Sequence, residues 1–453
     1  MKHNQLIIFL TVLMAATFAC KEAYNDGTRE LTPPDPNRES AVTTYFPDSG
    51  GIATKLILYG TNFGTDTAYI KVTVNGRKAA VIGSDGEALH AIVPRQAGSG
   101  PVKVFIGKEP NVKELTYDNP FRYSFRENVT TIVGVTGEAG IEDSDPEKGV
   151  EGKLRRPWFV AFDRDGEMYI IDEGRGANAD GGIRRYADGV LTTMARNANG
   201  AMMSPTVCAF SIDAIQDTLY MLNSLWTDNS MENCTATLTM FLRNEGYKLA
   251  HGIWRDNPWN SRSTAMAVHP VTGEIFFNSQ ATQKIYKYDS KTASKVEQIS
   301  IQAGTDKEQR MVFSNDGSTL YIAVTDQHCI YKAAYNSRTA TLEKPTVWVG
   351  QVGKSGHQDA PGAAALFNEP KQLTIDQYGI VFVADKRNHC IRRIDAEGNV
   401  TTHAGTPGVT GSKDGALLES SFNEPECVTF NPVDFGLYVA DRNNHVVRRI
   451  IVE

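Results

Sequence analysis

The sequence predicts an all-β chain in two parts, a small β-sandwich followed by a ring of six sheets, a β-propeller. Three observations carry this. Ala440-Asp441-Arg442-Asn443-Asn444-His445-Val446-Val447-Arg448-Arg449-Ile450, close to the end of the 453 residues, has a near copy at Ala384-Asp385-Lys386-Arg387-Asn388-His389-Cys390-Ile391-Arg392-Arg393-Ile394. Each copy follows a β-rich run and, further back, Phe-Asn-Glu-Pro (Phe367 to Pro370, Phe422 to Pro425). A unit recurring at about fifty residues marks a repeat architecture. Short apolar strands bounded by Asp-Gly-type turns recur through the whole second part, and a different set of short strands fills the first.

The first part, residues 41–126, opens with Tyr45-Phe46-Pro47-Asp48-Ser49-Gly50-Gly51 and continues through Leu56 to Gly64. Ile70-Lys71-Val72-Thr73-Val74 alternates and ends in Asn75-Gly76, a hairpin signal. Ala91-Ile92-Val93-Pro94 and Val102 to Gly107 complete the set, with the spacing of a β-sandwich. The order Pro-x-Ser-Gly-Gly, Gly-x-Asn-Phe-Gly, then Val-Pro before a Gly-rich turn resembles the IPT/TIG immunoglobulin-like family. That resemblance implies a spacer or interaction module. No catalytic constellation is readable there.

The second part, residues 127–453, contains six units. Inner strands are expected at Phe159 to Phe162, Val207 to Phe210, Ala265 to Val268, Arg310 to Phe313, Gln372 to Ile375 and Cys427 to Phe430. Second strands follow after turns such as Asp165-Gly166, Thr272-Gly273 and Asp316-Gly317. Pro, an apolar inner strand, Ala-Asp-x-x-Asn-His and an Ile-Arg-Arg strand together resemble the NHL-repeat propellers. Units five and six match closely; unit one keeps Pro157 and Ile183-Arg184-Arg185 around an insertion at Glu173 to Gly182; unit four keeps Asp326 to Ile330. Units two and three have lost the motif, and unit two carries an insertion from Leu225 to Cys234. The last unit ends without a fourth strand. Asn399-Val400-Thr401-Thr402 of unit five reappears as Asn128-Val129-Thr130-Thr131, so the first strand of the propeller is expected to complete the last blade and protect two sheet edges.

The N-terminus stands apart from both. Lys2 and His3 precede an apolar stretch, Leu6 to Ala16, too short to span a bilayer, and Ala19-Cys20 closes it. A small residue before a cysteine at this distance resembles a bacterial lipoprotein signal. The resemblance implies removal of residues 1–19, lipid on Cys20, a polar tether over residues 20–40 and an outer-membrane, cell-surface location. An ordinary secretory signal with a chance cysteine is the alternative. The other five cysteines are odd in number and form no CxxC pair. Cys329 and Cys390 occupy the repeat position of Val446, which suits cysteine as a small buried hydrophobe.

A net charge of −7 argues against a nucleic-acid or anionic-membrane partner. Asp385, Asn388, His389 and their copies look titratable, but Asp and Asn also cap tight turns, and equivalent turns in different blades do not converge. The Arg pairs suggest ion pairs between blades. Chemistry on a propeller belongs at the channel mouth, where the inner strands begin with Trp158, Thr206, Thr264, Gln309, Lys371 and Glu426. NHL-type amidating lyases hold zinc there through histidines, and gluconolactonase-like propellers hold calcium through a Glu/Asn/Asp set. Here the ring offers no His and only Glu426, beside Lys371, so a salt bridge is expected and no metal or cofactor. The acidic run Glu142 to Glu147 lacks the ligand order of an EF-type loop. Trp158, Trp226, Trp254 and Trp259 are candidates for an aromatic rim on one face, where exposed rings suit sugar stacking; filling gaps in eroded blades is the alternative. The expected function is a non-enzymatic, lipid-anchored binding protein with a glycan ligand. A channel-centred lactonase, lyase or hydrolase, or a scaffold for another surface protein, are the alternatives.

Overall fold

The computed structural model describes residues 31–95, 97–125, 127–172, 182–195, 207–213, 216–226, 234–247, 251–255, 263–280, 282–301 and 307–452. They form two compact units, one up to residue 126 and one spanning Glu127–Val452.

The first unit is built of strands, with one 3-10 turn at Thr67–Tyr69. Its hydrogen-bonded order runs Ala41–Phe46, Lys55–Thr61, Ala88–Ile92, Arg77–Ser84, Ile70–Val74, Gly100–Ile106, Lys113–Tyr123 and Ser49–Gly50. Alternate residues point inward, as period-two strands require, and Leu56, Leu58, Val72, Val74, Leu89, Val102, Val104 and Phe121 form the core. Asn75 and Gly76 both take positive φ (47° and 79°) between Ile70–Val74 and Arg77–Ser84, the two-residue turn that Asn-Gly favours. The strands Arg77–Ser84 and Lys113–Tyr123 were not legible: the first is a short apolar run, Ala79 to Ile82, between two cations and Gly83, and the second carries Pro120.

The second unit is six sheets. Blade one is Pro157–Phe162, Met168–Asp172, Gly182–Ala187 and Val190–Ala195; blade two is Val207–Ile212, Thr218–Trp226, Cys234–Leu242 and His251–Arg255. Blade three is Met266–Val268, Ile275–Ser279, Lys284–Asp289 and Ser294–Ser300; blade four is Gln309–Phe313, Thr319–Val324, Cys329–Asn336 and Thr346–Gly350, with Thr341–Leu342 added. Blade five is Pro370–Ile375, Val381–Asp385, Cys390–Ile394 and Asn399–Ala404, with Ala360–Pro361 added. Blade six is Pro425–Phe430, Leu437–Asp441 and Val446–Val452, completed by Glu127–Val133. That last pairing is antiparallel, Val447 opposite Val133 and Ile450 opposite Val129, and it closes the ring as the repeat predicts. Each inner strand packs against the next, and blade six returns to blade one. Of the two expected insertions, residues 173–181 and 227–233 lie outside the described residues, whereas Gly182, Leu225, Trp226 and Cys234 belong to strands.

The repeat motif is the framework. Asp385 and Asp441 are fully buried at the ends of their second strands. Each accepts the backbone N–H of Asn368 or Asn423, at 2.8 and 2.7 Å, and a side-chain N–H of Asn388 or Asn444, at 2.7 Å. Each also meets a buried guanidinium, Arg392 at 2.9 Å or Arg448 at 3.1 Å. Those arginines reach on to Asp359 (2.7 Å) and Asp414 (2.5 Å) and to the carbonyls of Leu366, Gln358, Ser421 and Lys413. Arg184 repeats the plan in blade one with Asp172 and Asp143. Burial pushes the Asp172, Asp385 and Asp441 carboxyls up to about 6, against the pull of these donors. The expected ion pairs between blades are therefore not what Arg392 and Arg448 make. They tie each sheet to the loop that enters it, because strand alternation turns only one arginine of each pair inward.

Histidine makes the link between blades. His328, His389 and His445 sit at left-handed positions (φ 56°, 55° and 63°) that aim the ring at the next blade. Nδ1 of His328 accepts the N–H of Glu369, and Nδ1 of His389 accepts that of Glu424, both at 3.1 Å. His445 meets the carbonyl of Arg155. Burial holds His328 and His389 below the usual imidazole range, which keeps Nδ1 free to accept. Cys329, Cys390 and Cys427 are free thiols in the core.

Candidate functional site

Inner strands begin, and second strands end, on one face of the propeller. The ring of inner-strand starts is where side chains from different blades converge. Lys371 and Glu426 are buried there, with Nζ 3.4 Å from Oε1. The closest partner of Lys371 is Glu308, just before blade four. Burial raises the Glu308 carboxyl, but Arg310, Lys371 and Lys386 outweigh it and hold it at about 2, so it stays ionised.

Arg310 reaches across the ring. Its side chain is almost fully buried, and its guanidinium pairs with Glu308 at 2.5 Å and donates to the carbonyls of Thr264 (2.5 Å) and Gln309 (3.0 Å). It lies 3.5 Å from Glu426 of blade six and 5.1 Å above the Phe159 ring of blade one. A side chain from blade four thus spans the ring to the opposite blade. Around it Gln309 donates to Gln283 at 3.0 Å, and Asn278 accepts the N–H groups of Thr264 and Ala265 at 2.7 and 2.8 Å. Asn278 serves blade three as the buried Asp serves blades one, five and six.

Above Arg310 lies a second charged layer supplied by the turns after the second strands. Lys386 Nζ stands 3.6 Å from Glu369, 3.9 Å from Glu424 and 3.9 Å from Glu426. Arg387 pairs with Glu369 and Glu424. Arg442 lies 3.9 Å from Glu424 and covers the Trp158 ring at 4.9 Å. Among the described residues no group of three or more His, Cys, Asp or Glu is arranged to hold a metal ion.

Comparison with known proteins agrees with both halves. Residues 40–123 match the IPT/TIG domain, and residues 262–412 match the SMP-30/Gluconolactonase/LRE-like region. The chain is an IPT/TIG domain followed by a six-bladed, NHL-like β-propeller. The propeller is 35% identical over 100 residues to human NHL repeat-containing protein 2 and 30% over 142 residues to chicken (Gallus gallus) teneurin-1. These matches cover 22% and 28% of this chain, and only 14% and 5% of the two relatives. Solved structures match nearly end to end. An auxiliary nutrient binding protein from Bacteroides thetaiotaomicron VPI-5482 is 26% identical, with TM-score 0.62, over 93% of this chain and 99% of that one. A protein of unknown function from the same organism, 22% identical with TM-score 0.69 over 93% and 100%, shares the fold.

Of the four tryptophans expected on one rim, the structure describes the surroundings of two, Trp158 and Trp254, and these two stand in different parts of the propeller. Trp158 stands at the mouth, half-buried, with one face under Arg442 and its Nε1 buried without a hydrogen-bond partner. Trp254 lies on His251–Arg255, the outermost strand of blade two, and packs on Phe277 (5.3 Å) and Tyr288 (6.3 Å) of blade three. It fills the seam between two blades at their outer side, because the fourth strand is the one furthest from the channel. Trp226 ends the second strand of blade two, opposite Cys234. Trp259, Thr206 and Cys20 lie outside the described residues. Thr264 and Gln309 are buried in the network around Arg310, so of the mouth residues singled out from sequence only Trp158, Lys371 and Glu426 join the charged bowl. Arg310, Glu308, Lys386 and Arg442 escaped sequence reasoning. Arg310 carried one signal: a cation at an inner-strand position where other blades have Phe159, Ala265 or Cys427.

Proposed function

We propose that this chain is a non-enzymatic cell-surface binding protein, held at the outer membrane by lipid on Cys20. Its propeller takes a glycan at the charged mouth, as an accessory of polysaccharide capture. The observation that carries the reading is the likeness, in both domains and over nearly both full lengths, to a protein described as an auxiliary nutrient binding protein. The mouth supports it. Glu308, Glu424 and Glu426 each face two or more cations, an array of charged groups suited to recognising a polar ligand.

The gluconolactonase-like match favours a second reading, a channel-centred lactonase, lyase or hydrolase. Within that stretch the channel positions are Thr264, Gln309 and Lys371, not a set of metal-binding carboxylates. Another surface protein is a further partner class. One preparation separates these readings. Cys20→Ala should move the protein from the membrane to the soluble fraction, and the released form should bind immobilised polysaccharides without changing them. Retention in the membrane would contradict the lipid anchor. Cleavage products would favour the enzyme, and capture of protein alone the scaffold.

A further inference from the structure

We infer that Glu426 and Trp158 form a subsite for the hydroxyl groups of a neutral pyranose; this rests on the reading of the propeller mouth as a binding face. Glu426 is 1% exposed, and both of its carboxylate oxygens are buried without a hydrogen bond. Lys371, Arg310 and Lys386 surround it at 3.4, 3.5 and 3.9 Å, which supplies charge but leaves the lone pairs without a donor. A carboxylate can accept about four hydrogen bonds, and leaving them unmade in the interior is costly. Trp158 and Glu426 are the second residues of neighbouring inner strands, so they stand at one level of the ring. Two acceptor atoms of Glu426 and the indole N–H of Trp158 are thus buried at the mouth without a partner from the protein itself.

The surroundings select the ligand. An ammonium group would donate to Glu426 but would meet Lys371, Lys386 and Arg310. A carboxylate or sulfate would add acceptors where acceptors are already in excess and would face Glu308, Glu424 and Glu426. A vicinal diol brings two O–H donors that can lie on the two oxygens of one carboxylate, and its oxygens can accept from Trp158. Lys386 holds no short hydrogen bond to its three carboxylates, and its stem is flexible, so it can swing from above Glu426. Arg310 lies beside Glu426 on the inner-strand side, between it and the Phe159 ring.

The test is isothermal titration of the full-length Cys20→Ala protein with methyl glucoside, methyl galactoside and methyl mannoside, and with glucuronate and glucosamine. At least one neutral glycoside should bind about tenfold more tightly than either charged sugar, the difference expected for a mismatched buried group. Trp158→Phe, which removes the N–H and keeps a ring, should weaken that binding about fivefold with little change in melting temperature. Glu426→Gln should weaken it further. Equal or tighter binding of a charged sugar, or an unchanged affinity in Trp158→Phe, would overturn the subsite. Polysaccharide capture without binding of any simple glycoside would overturn the subsite and leave the binding role standing; absence of both would overturn both.

Discussion

A chain shortened to begin after Gly137 should lose its cooperative thermal transition, whereas one beginning at Ala41 keeps it. The lost segment contains Glu127–Val133, which is the fourth strand of blade six although it lies more than three hundred residues from its partner in sequence. It pairs along Val447 to Val452 and buries Val129 and Val133. Thr131 also donates its N–H to Asp414 at 3.0 Å. Removing it strips two buried valines, each contributing about 1.5–3 kcal/mol. It also opens the edge of Val446–Val452, where Ile450 is buried against it. The sum is of the order of the net stability of a domain, about 5–15 kcal/mol. Circular dichroism melts of the two chains decide the matter, and an unchanged midpoint would mean that blade six stands without its fourth strand.

Arg448→Ala should be the most damaging single substitution in the repeat motif, at about 3–5 kcal/mol, because it leaves a buried carboxylate without its cation. Asp441 would keep only the N–H groups of Asn423 and Asn444, and Asp414 would lose its inward partner. The loss should depend on pH. Burial has already raised Asp441 to about 6 with Arg448 in place, and removal of the guanidinium raises it further. A carboxyl whose folded pKa exceeds its unfolded value, about 3.9, binds a proton more tightly in the folded state. The penalty is therefore full above the folded pKa and shrinks as pH falls from there toward the unfolded value. Denaturant unfolding of wild type and variant at two pH values, one near 8 and one near 5, reads this directly. A small, pH-independent difference would show that Asp441 does not depend on Arg448.

The framework was legible because it is repetitive. Two near-identical copies exposed the period, and the Asn128 to Thr131 echo of Asn399 to Thr402 exposed the closure. Blades two and three were legible only as strand patterns, because Asn278 replaces the buried Asp and the Arg is gone. The partners of Arg392 were not legible. Asp359 lies 33 residues back, in a loop whose path no local signal gives. At the mouth, repeat position placed Lys371 beside Glu426, since neighbouring blades present equivalent residues side by side. Arg310 was missed because its reach to Phe159 depends on the width of the ring. The strand that carries Trp254 was not legible, because Gly252 interrupts the pattern of His251-Gly252-Ile253-Trp254-Arg255.

Backbone amide exchange of the soluble protein, with and without a captured polysaccharide, tests most directly whether the propeller mouth is the binding face. Slowed exchange is expected around Trp158, in the turn Lys386–Asn388 and in the turn Arg442–Asn444, which carry the second charged layer. Slowing confined to residues 41–125, or to the outer strands of the blades, would contradict it.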